Sequence, residues 1–134
     1  MWPRDNPESW HRIHEFVERF PDDGFWVEWK PIARELISAL ERAGMRDLFR
    51  IGQSMHHIIL STLDHHNLGT APRVTLEILP NEQNVRIAYS SANLYFNDSQ
   101  REVSVSRRDA FPTIVDYLRQ LWVETRARRR FLNA

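Results

Sequence analysis

The chain has 134 residues, 42% of them hydrophobic and 27% charged, and its formal net charge is zero at pH 7. That balance suits one folded domain over residues 1–134 and excludes the low-hydrophobicity, high-charge signature of disorder. With no net charge there is no whole-molecule field to draw the chain to a phosphate backbone or an anionic membrane, and with no cysteine there is no disulfide, thiolate zinc site or cysteine nucleophile.

The N-terminal "MWPRDNPES" has no apolar stretch of the kind a secretory leader carries, and no run approaches the roughly 18 apolar residues of a membrane span, so a cytoplasmic protein is expected. Asn6 and Pro7 fit the N-cap and first position of a helix on which Trp10, Ile13, Phe16, Val17 and Phe20 recur at three- and four-residue spacing. Pro21 and "DDG" end it. "FWVEW" at 25–29 reads as an extended lead-in that puts Trp26 opposite Phe25, Val27 and Trp29, with no obvious core to join, so that it would either be an exposed interface anchor or pack under a loop. A second helix is expected from Pro31 to Ala43, with Ile32, Leu36, Ile37 and Leu40 inward and Gly44 just past its end.

"SMHHIILSTLDHHNL" at 54–68 follows. Leu48, Ile51, Met55, Ile58, Ile59, Thr62 and Leu63 hold a helical period across it, which predicts a third helix. Beyond Gly69 and Pro72 the pattern changes. "RVTLEIL" and "VRIAYS" alternate around "PNEQN", and "NLYF" and "EVSV" flank "NDSQ", as in two hairpins. Val74, Leu76, Ile78, Val85, Ile87 and Tyr89 would share an inner face, leaving Thr75, Glu77, Arg86 and Ser90 on a wet outer one. A last helix, from near Asp109 with Pro112 in its first turn, repeats Phe111, Ile114, Val115, Leu118, Leu121 and Trp122. The expected fold is therefore α+β: three N-terminal helices, an antiparallel meander of three to four strands, and a C-terminal helix packed on one face of the sheet.

Four of the six histidines stand in two pairs, His56-His57 and His65-His66. On a helix, residues nine apart lie about 180° round and about 13 Å along the axis, so neither pair reaches the other to share a metal ion. Only a strand over 54–63, turning back near Asp64, would reopen that arrangement. On the expected helix His66 joins the apolar stripe as a core histidine, His65 faces the helix C-terminus, and His56 and His57 are solvated. The first helix holds a better-shaped set: His11, His14, Glu15 and Glu18 fall within about 100° of arc and could bind a divalent ion on the surface. Gly24, Gly44, Gly52 and Gly69 are each at least eight residues apart, so no phosphate-cradling loop can be built from them. The basic tail Arg126, Arg128, Arg129 and Arg130 suits a helix C-terminus as well as it suits phosphates.

These readings favour a small non-enzymatic domain that binds another protein, of the inhibitor, immunity or antitoxin kind, with no cofactor. Its contact residues would be Trp26, Glu77, Arg86 and Tyr95. The alternative is a metal-dependent hydrolase or metal-regulated protein using His11, His14, Glu15 and Glu18. Nucleic acid and membrane are disfavoured as partners. The uneven charge, −3 over residues 1–66 and +3 over 67–134, would let two copies face each other.

Overall fold

The structure is a computed structural model that describes residues 6–62, 72–91 and 100–133. Its described elements are helices α1 (Asn6–Arg19) and α2 (Trp26–Arg42), strands β1 (Phe49–Ser54), β2 (His57–Thr62), β3 (Arg73–Leu79), β4 (Asn84–Ser90) and β5 (Arg101–Ser106), and helix α3 (Arg107–Asn133). The strands form one antiparallel sheet in chain order. The class is α+β as expected, with two corrections among the described residues: two helices rather than three precede the sheet, and the sheet has five strands rather than three or four. The third helix expected over 54–68 is the β1–β2 hairpin as far as the structure describes it, which adds two strands, while the strand expected at "NLYF", residues 93–96, lies outside the described residues.

Alternation sets the core. In β3 and β4 the pairs Val74 with Tyr89, Leu76 with Ile87 and Ile78 with Val85 stand opposite each other, and all six residues are buried on the inner face. Ile58 and Leu60 of β2 and Phe49 and Ile51 of β1 continue that face, and the helices fill it with Trp10, Ile13 and Val17, then Trp29, Ile32, Leu36, Ile37 and Leu40, then Ala110, Ile114, Tyr117, Leu118 and Leu121. Such a cluster is the main driving force of the fold, since each large apolar side chain taken out of water contributes about 1.5–3 kcal/mol.

The ends of the elements follow local chemistry. Gly44 takes φ +83° after the last turn of α2, and its N–H donates to the Glu41 carbonyl. "FWVEW" is not extended: Trp26 opens α2, where the N–H groups of Trp26 and Val27 donate to the carbonyls of Asp23 and Gly24. Pro31 thus lies inside the helix instead of starting it. β5 passes into α3 without a loop, because Ser106 accepts the Asp109 N–H and its hydroxyl donates back to the Asp109 carboxylate. No described helix is long and apolar enough to cross a membrane.

Helix α1 also lies along the outer edge of β1. Ser9 Oγ accepts the Ile51 N–H at 3.3 Å, and Trp10 Nε1 donates to the Phe49 carbonyl at 3.0 Å. Both backbone groups belong to an edge strand, so α1 supplies the partners that a sixth strand would otherwise offer.

Candidate functional site

The outer face of the sheet is organised in cross-strand rows. At one end Arg50, Ser61, Arg73 and Ser90 stand side by side, and Ser61, Arg73 and Ser90 are buried. In the next row Ile59 is 2% exposed although it lies outside the main core cluster. The expectation of a wet outer face therefore fails at this end, Ser90 included. Burial also pulls the Arg73 guanidinium below its ordinary pKa. Toward the other end the face opens: Thr75 and Glu77 are half-buried, and Arg86, Glu102 and Ser104 are exposed.

Charge is concentrated at this open end. Glu77 of β3 stands opposite Arg86 of β4, whose Nη1 lies 3.4 Å from Glu77 Oε1, and Arg86 Nη2 bonds Glu102 of β5. On the other side His57 Nε2 is 3.2 Å and His56 Nε2 3.7 Å from Glu77 Oε2. One donor atom from each of His56, His57 and Glu77 can be chosen so that all lie within 4.8 Å of one another, and among the described residues no other group of histidines and carboxylates meets that condition. Burial pushes the Glu77 carboxyl up, but His57 and Arg86, by hydrogen bond and charge, outweigh it and hold the carboxyl below its ordinary value. Arg86 is held above its own ordinary value, mainly by the hydrogen bond to Glu102.

Two adjacent histidines reach one carboxylate because of the turn. Successive strand residues point to opposite faces, so neighbours on a regular strand would diverge. Here Ser54 pairs with His57, leaving Met55 and His56 as a two-residue loop with Met55 at φ +56°. His57 then points outward from β2 while His56 swings back from the loop, its ring centroid 4.6 Å from that of His57. Phe25 and Trp26, with ring centroids at 6.0 and 6.5 Å, wall the other side of His56.

The residues singled out in sequence separate into groups. Glu77 and Arg86 are brought together. Trp26, weighed in sequence as an exposed anchor or as a tryptophan packed under a loop, is half-buried and stacks on Phe20 at 3.9 Å, with Trp29 edge-on at 5.3 Å. Tyr95, His65 and His66 lie outside the described residues. His11, His14, Glu15 and Glu18 are not gathered. His11 lies 2.8 Å from Glu15, His14 bonds Glu41 on α2, and Glu18 receives Arg34 at 2.6 and 2.7 Å. His11 and Glu15 pair with each other while His14 and Glu18 bond elsewhere, and no three of the four bring donor atoms within 4.8 Å of one another. In the C-terminal tail, Arg126 lies over the Trp122 ring at 5.6 Å.

Comparison of the chain with protein-family models, with curated proteins and with solved structures finds no match in any of the three. The functional reading therefore rests on the geometry of the chain's own residues. His56 and His57, expected to be solvated, turned out to belong to the cluster. The signal in sequence was the run "IILST", rich in β-branched residues and compatible with a strand, and it is the β2–β3 register that sets His57 beside Glu77.

Proposed function

We propose that the protein is a non-enzymatic binding domain that recognises another protein through the open end of its sheet. The observation that carries this is the charged row Glu77–Arg86–Glu102, laid across three hydrogen-bonded strands with the two carboxylates flanking the guanidinium. Strands hold such a row more rigidly than loops, so a partner with the opposite pattern meets charges already in place. The neighbouring aromatics Phe25 and Trp26 offer apolar area at the rim, although Trp26 is committed in part to Phe20. Arg86 is the residue on which recognition should turn, since arginine is enriched among the side chains that dominate interface energy.

The test is affinity capture from the native host with wild-type protein and with Arg86→Glu, followed by reconstitution from purified components. A discrete partner should bind wild type directly and lose at least about tenfold, or about 1.4 kcal/mol, with Arg86→Glu. The variant should melt within about 1 kcal/mol of wild type, because exposed ion pairs contribute little to stability. Failure to reconstitute any complex, or equal binding by the variant, overturns the reading.

A further inference from the structure

The geometry points to a site for a first-row divalent cation of the zinc class, held by His56, His57 and Glu77 at the tip of the β1–β2 hairpin. This goes beyond the binding role above and does not depend on it. Zinc bonds imidazole nitrogen and carboxylate oxygen at about 2.0–2.2 Å, so tetrahedral donors stand roughly 3.3–3.5 Å apart. The separations from Glu77 Oε2 to the two Nε2 atoms, 3.2 and 3.7 Å, lie on either side of that value. All three donor atoms lie within 4.8 Å of one another, so no edge has to close by more than about 1.5 Å, which rotation of the half-buried His56 ring supplies.

Three further features fit a cation. Arg86 engages Oε1 of Glu77, the oxygen not facing the histidines, and so orients the carboxylate without occupying the ligand atom. Glu102 pairs with the other side of Arg86, so Glu77 and Glu102 against Arg86 leave the patch one net negative charge with both histidines neutral. The loop itself places a methionine, 79% exposed, in a left-handed conformation that costs a non-glycine residue on the order of 1 kcal/mol. That backbone is what turns two sequence-adjacent imidazoles toward one carboxylate. Two imidazoles and one carboxylate suit Zn2+, Ni2+ or Cu2+ far better than the oxygen-loving Mg2+ or Ca2+. Three protein donors leave a fourth position for water or for a group brought by another molecule.

The experiment is calorimetric titration of chelator-stripped, full-length protein with ZnCl2 near neutral pH, alongside His57→Gln, Glu77→Gln, His56→Ala and His11→Ala. Wild type should bind one equivalent with a dissociation constant well below 1 mM, and His11→Ala should match it. His57→Gln and Glu77→Gln should each weaken binding at least tenfold, and His56→Ala should do the same. Circular dichroism of the metal-free variants separates lost ligands from lost fold; should one variant fail to fold, the other two carry the test. Co2+ supplies a second readout, a visible absorption band of a low-coordinate site that wild type develops and Glu77→Gln does not. The assignment is overturned if no saturable binding occurs up to about 1 mM, if the three cluster variants titrate like wild type, or if changing His65 and His66 removes binding while the cluster variants retain it.

Discussion

Lys30 is a cation drawn into the protein by oxygens that the chain itself presents. Its side chain is 4% exposed, and Nζ donates to the carbonyls of Glu18 and Phe20 and to Asp22 Oδ1, so all three N–H bonds have acceptors. It thereby ties the end of α1 and the following turn to α2. Lys30→Met keeps the aliphatic stem but leaves two carbonyls without their donor, which should cost about 1–3 kcal/mol and lower the melting temperature by several degrees. A melting temperature within one degree of wild type would mean that water replaces the ammonium at no cost. Asp22 gives the pH dependence of this contact. Its carboxyl is held below the ordinary 3.8, first by the hydrogen bond from Lys30 and then by its charge. A depressed folded-state value means that the stabilisation is fully present above the unfolded value and is lost as pH falls through the folded one. The destabilisation expected of Asp22→Asn at neutral pH should therefore shrink below pH 3.8, and a gap that stays constant into stronger acid would contradict the linkage.

At the scale of elements, the sequence was legible wherever one face is buried and one is wet. β3 and β4 alternate cleanly because their outer positions, Thr75, Glu77, Arg86 and Ser90, are polar even where they are buried, and every residue assigned to their inner face is buried there. α1 and the inward stripe of α2 were legible on the same ground. The β1–β2 hairpin was not, because Ile58 and Leu60 are buried on one face while Ile59 and Ser61 are buried on the other. A strand buried on both faces loses its period of two, and "HIILST" then satisfies a helical period equally well. The turn gave no warning either, since Met55-His56 contains none of the glycine, asparagine or aspartate that mark a two-residue hairpin loop. The start of α2 was hidden similarly: its N-cap is Phe25, with no side-chain cap, and Pro31 looked like a first-turn proline. The candidate site depended on the one misread hairpin, so Glu77 and Arg86 were visible in sequence and their histidine partners were not. The hairpin also carries a prediction. Met55→Gly removes the side chain that opposes φ +56°, and should raise stability by about 0.5–1 kcal/mol, or about 2–4 °C in melting temperature. A fall in melting temperature would show that the exposed methionine packs favourably enough to offset its backbone.

The whole molecule is a sheet whose two edges are treated differently, and this sets the order in which it should open. The β1 edge is closed by α1, with Ile51 N–H and the Phe49 carbonyl bonded to Ser9 and Trp10 from a buried helix face. The central strands β2, β3 and β4 have hydrogen-bonded neighbours on both sides and supply most of the sheet's share of the core. β5 differs from the rest: five of its six residues are exposed, Val105 is its one half-buried residue packed on the core, and Arg101 lies over the Tyr117 ring. Opening free energy follows buried contacts and protected hydrogen bonds, so native-state amide exchange should be slowest in β2 to β4, nearly as slow at Ile51, and fastest among the strands in β5. Ser9→Ala should speed exchange at Ile51 by at least about tenfold, the equivalent of about 1.4 kcal/mol, while leaving β4 unchanged, because it removes the acceptor of the Ile51 N–H. If Ile51 in the wild-type protein exchanges as fast as the β5 amides, α1 does not seal that edge. α1 would then be held to the sheet by apolar packing rather than by those edge hydrogen bonds.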